Sequence, residues 1–100
     1  MLDKLMSQMG PMKEAMDQAK KKLDTMSVKG DADDGQIEVY VNGNRRVTDI
    51  KISESLMKEG DKEAIEELLQ VALNKALASA DSINEMEMAA AARSMMPGML

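Results

Sequence analysis

The chain has 100 residues, a net charge of −5 and a single aromatic residue, Tyr40. It contains neither cysteine nor histidine, which excludes disulfides and thiolate metal sites and removes the commonest general base. We expect one domain that is not an enzyme and binds no metal or cofactor. Its small core is packed partly by the twelve methionines, although a methionine-rich docking surface is an alternative use for them.

The sequence also argues against a membrane or secreted location. No uncharged apolar run approaches the roughly 20 residues that a membrane span needs. Asp3 and Lys4 interrupt the first residues, unlike the apolar region of a signal peptide. We therefore expect a cytoplasmic protein.

The first quarter of the chain is predicted to be an amphipathic helix that ends near Met26. Apolar residues recur there at alternating intervals of three and four, at Leu2, Leu5, Met9, Met12, Met16, Ala19, Leu23 and Met26. Gly10-Pro11 interrupts the pattern, because proline lacks the N–H donor and clashes with the preceding turn. Either residues 2–9 form a separate turn, or Pro11 occupies the first turn of a helix that begins there. We favour the second arrangement.

A β-hairpin is predicted next. Alternating apolar residues over 37–42 indicate a half-buried strand, and Asn42-Gly43 indicates a turn because both residues tolerate positive φ. A second strand follows the turn. Pairing Val41 with either Asn44 or Arg46 puts the apolar residues of both strands on one face.

Shorter segments flank the hairpin. Residues 27–29 are compatible with a third strand, joined to the hairpin by a polar loop over 30–35. The acidic residues of that loop lack the spacing of a calcium-binding loop, so a solvated acidic turn is the favoured interpretation. Residues 53–57 are predicted to form a turn.

A second long helix is predicted from Gly60-Asp61 onward, with Asp61 as its cap. Its apolar seam consists of Ile65, Leu69, Ala72, Ala76, Ser79, Ile83, Met86 and Ala90. The fold class is therefore α+β, in the order α-β-β-β-α, with two long helices flanking a small antiparallel sheet. Residues 1–93 form the domain, and 94–100 are predicted to be a flexible tail.

The predicted helices are too long for a compact domain. A helix of about 25 residues spans nearly 40 Å, whereas a compact chain of this size has a radius of gyration of about 13 Å. The helices should project beyond the sheet and expose their apolar seams, which favours a homodimer.

Charge is distributed unevenly along the chain. Residues 1–30 carry six lysines against four acidic residues, and residues from 54 onward carry nine acidic residues against four basic ones. Lys20-Lys21-Lys22 is either a solvated helix face or a patch that contacts phosphates, and Arg45-Arg46 has the same two interpretations.

The ordered combination of these segments resembles the YbaB/EbfC family of bacterial nucleoid-associated proteins over nearly the whole chain. The matching residues are Val28-Lys29-Gly30, Gly35, Ile37, Val39, Val41-Asn42-Gly43, Val47, Ile50, Ile52, Asp61-Lys62-Glu63, Glu66, Leu68, Ala72, Asn74, Ala76 and Met96-Pro97-Gly98-Met99. The resemblance implies a tweezer-like homodimer that binds double-stranded DNA with limited sequence preference, is associated with the nucleoid and has no catalytic residues.

The residue patterns and the resemblance together suggest two sets of residues. The candidate DNA-binding residues are Lys13, Lys20, Lys21, Lys22, Arg45, Arg46 and Arg93. The candidate seam residues are Met9, Met12, Met16, Leu23, Leu69, Ala72, Ala76 and Ile83. The alternative function is a dimeric module that docks a protein partner through Met-rich helical ends and has little affinity for DNA.

Overall fold

The computed structural model describes residues 2–94, with side chains from residue 10 onward. In chain order, the elements are helix α1 (Leu2–Asp24), strands β1 (Ser27–Ala32), β2 (Ile37–Asn42) and β3 (Val47–Ile52), and helices α2 (Glu54–Glu59) and α3 (Lys62–Ser94). The strands form one antiparallel sheet in the order β1-β2-β3. The predicted α+β fold is confirmed. Of the predicted tail, Ser94 ends α3, and 95–100 lie outside the described residues.

Helix α1 begins earlier than predicted. It runs unbroken from Leu2 rather than beginning at Pro11, and it ends at Asp24, within two residues of the predicted end. Proline disfavours a helical residue before it partly by clashing with that residue's Cβ. Gly10 has no Cβ, so the helix can continue through Pro11 with the loss of one backbone hydrogen bond.

The segment before the hairpin is more regular than predicted. Residues 30–32 were assigned to the polar loop, but they extend β1, and Gly30 and Ala32 are buried beneath α3. The turn covers only residues 33–36. Asp33 and Asp34 adopt left-handed conformations there, which a short polar side chain tolerates better than most.

The predicted hairpin is present, but its register differs. The strands pair Ile37 with Ile52, Val39 with Ile50 and Val41 with Val47. Neither Asn44 nor Arg46 faces Val41, because a bulge beside Tyr40 shifts the pairing. The prediction that the apolar residues of both strands share one face is nevertheless correct, since an even shift in register preserves the face.

Residues 53–57 were predicted to form a turn, but α2 begins within them. The Ser53 hydroxyl caps this helix by accepting a hydrogen bond from the Leu56 backbone N–H at 3.1 Å. Gly60 ends it in a left-handed conformation. Asp61 then caps α3 as predicted, accepting from the Ala64 N–H at 3.1 Å.

The core lies between α3 and the inner face of β1 and β2. Its fully buried residues include Ile37, Val39 and Val41 from β2 and Ala72, Ala76 and Ala80 from α3. Because these helix residues are alanines, α3 approaches the sheet closely. At Gly30 the approach is so close that an added Cβ would collide with the backbone of Ala72 and Ala76.

The predicted seam of α3 is correct only in its first half. Ser79, Met86 and Ala90 are exposed, whereas Ala80, which the seam omits, is fully buried. The heptad spacing fails because a straight α-helix has 3.6 rather than 3.5 residues per turn, so its buried face drifts along a long helix.

The helices extend beyond the sheet, as predicted. The chain measures 65 × 26 × 18 Å, with a radius of gyration of 19.1 Å. Helix α1 and the second half of α3 lie side by side and antiparallel, so that Ala15 and Ser94 line one cleft and Lys22 contacts Glu87. We call this projecting helix pair the arm.

The contact at Gly30 predicts the effect of one substitution. Gly30→Ala should lower the free energy of unfolding by about 2 kcal/mol or more, because the methyl group meets helix backbone that cannot rotate away. Urea denaturation measures this. Ser27→Ala, at an exposed position of the same strand, is the control and should change stability by less than about 0.5 kcal/mol. Equal effects would contradict the close approach.

Candidate nucleic-acid interface

The loop between β2 and β3 holds the arm to the sheet. We call Asn42, Gly43 and Asn44 the docking loop. The Gly43 N–H lies within hydrogen-bonding distance of two carbonyl oxygens at the end of α1, 2.9 Å from that of Leu23 and 3.0 Å from that of Met26. A Cβ on Gly43 would lie 2.6 Å from the Leu23 side chain and 2.9 Å from its carbonyl oxygen. Glycine is required here for space.

The two asparagines complete the attachment to α1. Asn44 Nδ2 donates to the Lys20 carbonyl at 2.8 Å and to an Asp24 carboxylate oxygen at 2.7 Å. Asn42 is buried, and its side-chain oxygen accepts from the backbone N–H groups of Asn44 at 2.9 Å and Arg46 at 3.1 Å. The loop therefore satisfies its own backbone while capping the last carbonyls of α1.

Helix α3 contacts the same loop and the residues beside it. Asn84 Nδ2 donates to the Gly43 carbonyl at 3.0 Å. Three residues before it, Asp81 pairs with the guanidinium of Arg45, and three residues after it, Glu87 lies 3.1 Å from Lys22 Nζ. These side chains form an inclined row on α3, because each step of three residues falls about 60° short of a full turn.

The turn geometry differs from the prediction made from Asn42-Gly43. Neither of those residues has a positive φ, whereas Arg45 adopts the left-handed conformation with φ of 65°. Left-handed arginine is uncommon, since most side chains with a Cβ avoid this region. The ion pair to Asp81 accompanies this conformation.

All seven predicted DNA-binding residues are exposed. Asn44 contacts the Lys20 carbonyl, while Lys22 and Arg45 pair with α3 beside the docking loop. We call Lys20, Lys22 and Arg45 the basic corner. Arg46 follows Arg45 and directly precedes the first residue of β3. Two further candidates lie on the arm, Lys13 on α1 and Arg93 at the end of α3.

Carboxylates lie among the lysines of α1. Asp17 is four residues from both Lys13 and Lys21, and Asp24 is four residues after Lys20, so each shares a helix face with a lysine. The exposed face of α1 is therefore of mixed charge, with lysines in only a small excess.

Most of the predicted seam residues are at least partly covered. Leu23, Ala72 and Ala76 are buried, Met16, Leu69 and Ile83 are half-buried, and Met12 is 39% exposed. The side chain of Met9 lies outside the described residues. The seam of α1 is covered best where it meets the docking loop.

The outer face of the sheet carries a separate charged group. Lys29 Nζ lies 3.0 Å from a Glu38 carboxylate oxygen, and this hydrogen bond raises the pKa of Lys29 and lowers the pKa of Glu38. The Glu38 contribution to stability is present above the ordinary glutamate pKa and is lost as the pH falls through the lowered one. The Lys29 contribution is lost as the pH rises through its raised pKa.

A cation–aromatic contact lies on the same outer face, where Lys51 Nζ is 5.3 Å from the centroid of the Tyr40 ring.

Sequence reasoning did not identify Asp81, Asn84 and Glu87. Their spacing is typical of a solvated helix face, so the sequence gives no indication that these residues hold a loop. Asn42-Gly43-Asn44 was recognised only as a turn.

Among the helices that the structure describes, none is both long and apolar enough to cross a membrane.

Comparison with known proteins identifies the family. Residues 1–95 match the model of the YbaB/EbfC DNA-binding family. A protein named nucleoid-associated protein from Flavobacterium johnsoniae is 42% identical over 96 residues, covering 93% of this chain and 89% of the relative. One of the same name from Rickettsia bellii is 33% identical, covering 96% and 92%. The chain belongs to the YbaB/EbfC DNA-binding family.

A solved structure supports the same conclusion. The crystal structure of an uncharacterized protein from Helicobacter pylori superposes with a TM-score of 0.66 at 28% identity. The match covers 78% of this chain and 89% of that one. The fold described above is therefore shared with a protein of experimentally determined structure.

The docking loop makes the attachment of α1 testable. Asn44→Ala should reduce the free energy of unfolding by about 1 kcal/mol, because it removes hydrogen bonds to Lys20 and Asp24. Amide hydrogen exchange should become faster in the last turns of α1. Asn74→Ala, at an exposed position of α3, is the matched control. Unchanged exchange in α1 would contradict an anchoring role for the docking loop.

Proposed function

We propose that this protein is a non-catalytic, homodimeric, nucleoid-associated DNA-binding protein of the bacterial cytoplasm that contacts the backbone phosphates of duplex DNA with limited sequence preference. Its family is a DNA-binding family, and its relatives carry the name nucleoid-associated protein. The observation that carries the proposal is that exposed cations of α1 and Arg45, which follows the docking loop, lie at one corner. Flexible exposed cations suit phosphate contacts and carry no base-reading information.

The charge of the protein defines how it should bind. A net charge of −5 repels DNA at long range, so attraction depends on a local patch. Such binding weakens steeply with salt, because each phosphate contact releases counterions from the duplex. A single aromatic residue also argues against binding single strands by base stacking.

The proposed homodimer is supported by the uncovered strand β3. Helix α3 covers β1 and β2, but β3 is an edge strand, with Val47 44% and Ile50 47% exposed. Beside it, Met57 is 57% exposed at an apolar cleft of about 390 Å³ that Ile52 and Ile65 also line. An exposed apolar edge strand is a template for pairing with another chain.

A second copy of this chain accounts for that surface. Edge-to-edge pairing of two β3 strands would satisfy the free backbone groups of both and extend the sheet. It would also bury Ile50 and Met57 of each protomer and present the basic corner twice. Because the arms project away from the sheet, duplication leaves both arms accessible to a duplex.

The DNA interface is tested by removing lysines of the basic corner. Lys20→Gln combined with Lys22→Gln should weaken binding to a duplex, and the slope of log affinity against log salt should fall by about 0.9 for each lysine that contacts a phosphate. A gel-shift series in salt measures both.

The control for this experiment has the same change in charge. Lys58→Gln combined with Lys62→Gln removes two positive charges from α2 and the start of α3, far from the basic corner, and should have a smaller effect. Equal losses would exclude the patch. Failure of the unaltered protein to retard duplex at about 50 mM salt and micromolar concentration would contradict DNA binding.

The dimer is tested at β3. Ile50→Lys should shift the protein to a monomer in sedimentation velocity, because the lysine charge would be buried in the proposed interface. Met86→Lys, at a position 69% exposed on the arm, should leave the dimer intact. Circular dichroism checks that both variants fold. A dimer that survives Ile50→Lys would exclude β3 as the interface, and a monomeric unaltered protein would contradict the dimer.

The alternative function, docking of a protein partner through Met-rich helical ends, keeps one supporting observation. Met12 and Met86, one on each helix of the arm, are 39% and 69% exposed. Absence of duplex binding at low salt, together with an intact dimer, would favour this alternative.

A further inference from the structure

Two of the cations proposed to bind DNA are paired with carboxylates of α3. Lys22 Nζ lies 3.1 Å from Glu87 Oε1, and Arg45 Nε contacts Asp81 Oδ1. The carboxylates are six residues apart, about 9 Å along the helix axis and about 120° around it, with Asn84 midway between them in sequence. Each pairs with one cation of the basic corner.

These ion pairs are more exposed than structural contacts usually are. The side chains of Lys22 and Arg45 are 62% and 47% exposed, and those of Asp81 and Glu87 are 52% and 21% exposed, so each pair has at least one side chain largely in solvent. Ion pairs in water add little to stability, because solvent screens them and ordering both side chains costs entropy. Attachment of the loop to α3 also has a separate neutral contact, from Asn84 to the Gly43 carbonyl. The loop is thus attached to α3 by a contact that does not involve either carboxylate.

The carboxylates do affect any anion that approaches the corner. A phosphate meets cations whose charge is already balanced at close range, so it must compete with Asp81 and Glu87 for the same donors. Asp24 differs from them, since its carboxylate accepts hydrogen bonds from Asn42 and Asn44 and is part of the docking loop contact.

We propose that Asp81 and Glu87 set the strength and the salt dependence of polyanion binding by competing with phosphates for Arg45 and Lys22. This inference rests on the proposed function for its biological meaning. In this proposal, the two carboxylates of α3 lower the affinity of the basic corner for a polyanion.

The sign of the effect separates competition from a positioning role. If the carboxylates oriented the cations for phosphate, removing them would weaken binding. If they compete, Glu87→Gln and Asp81→Asn should each tighten duplex binding about two- to fivefold, the range that exposed ion pairs span. The salt slope should steepen by up to about 0.9 for each cation released.

The matched control is Glu85→Gln. Glu85 is exposed on α3, makes no ion pair within the part of the chain that the structure describes, and its substitution changes the net charge by the same amount. Fluorescence anisotropy with a labelled duplex, over a salt series, compares the three variants. In a Lys22→Gln background, Glu87→Gln should gain no more than Glu85→Gln does.

A second probe keeps this inference distinct from the proposed function. Elution from immobilised heparin reports affinity for a polyanion without requiring DNA. Later elution of Glu87→Gln and Asp81→Asn than of Glu85→Gln supports competition between carboxylates and polyanion. If this result is found but no variant retards duplex, the competition stands and only the DNA-binding function fails. Elution and anisotropy equal to those of Glu85→Gln, or weaker binding, would overturn the inference while leaving the DNA function standing.

Discussion

The docking loop is the contact on which the rest of this molecule depends. Gly43 places its N–H against the last carbonyls of α1 and offers its own carbonyl to Asn84 of α3. One residue thus connects both long helices to the end of the sheet. Together with Asn42 and Asn44, it makes the described hydrogen bonds that hold the end of α1 to the hairpin.

The same geometry determines the electrostatics. Because the loop lies between the end of α1 and the middle of α3, it brings Lys22 of α1 and Arg45, which follows the loop, beside the carboxylates of α3. Lys22 and Arg45 are separated by 23 positions in sequence, yet both pair with α3, through Glu87 and Asp81. Net charge alone describes this protein poorly, since the local arrangement decides how much of each cation is available to a phosphate.

Strand β3 is uncovered because the core is built on a single helix, which is too narrow to cover three strands. The sheet is packed by one long helix whose fully buried residues are alanines, and a single helix is about 10 Å wide. Strands are about 4.8 Å apart, so one helix covers two strands but not three. Strand β3 therefore keeps Ile50 exposed although that residue alternates correctly for burial. Ile52 packs against the core, but Val47 and Ile50 stay exposed in one protomer, and this exposure is the physical basis of the proposed dimer.

The sequence by itself determined the fold class, the two long helices, the hairpin, the cap at Asp61 and the exposure of the lysines, because each depends on local spacing or local chemistry. It did not determine the path of α1 through Pro11, the bulge beside Tyr40 or the buried face of α3 beyond Ala76. Those features depend on what each segment packs against. The row of Asp81, Asn84 and Glu87 was decided only by the tertiary structure. A polar residue on a helix surface has the same pattern whether it faces water or a loop 40 positions away, and only packing distinguishes the two.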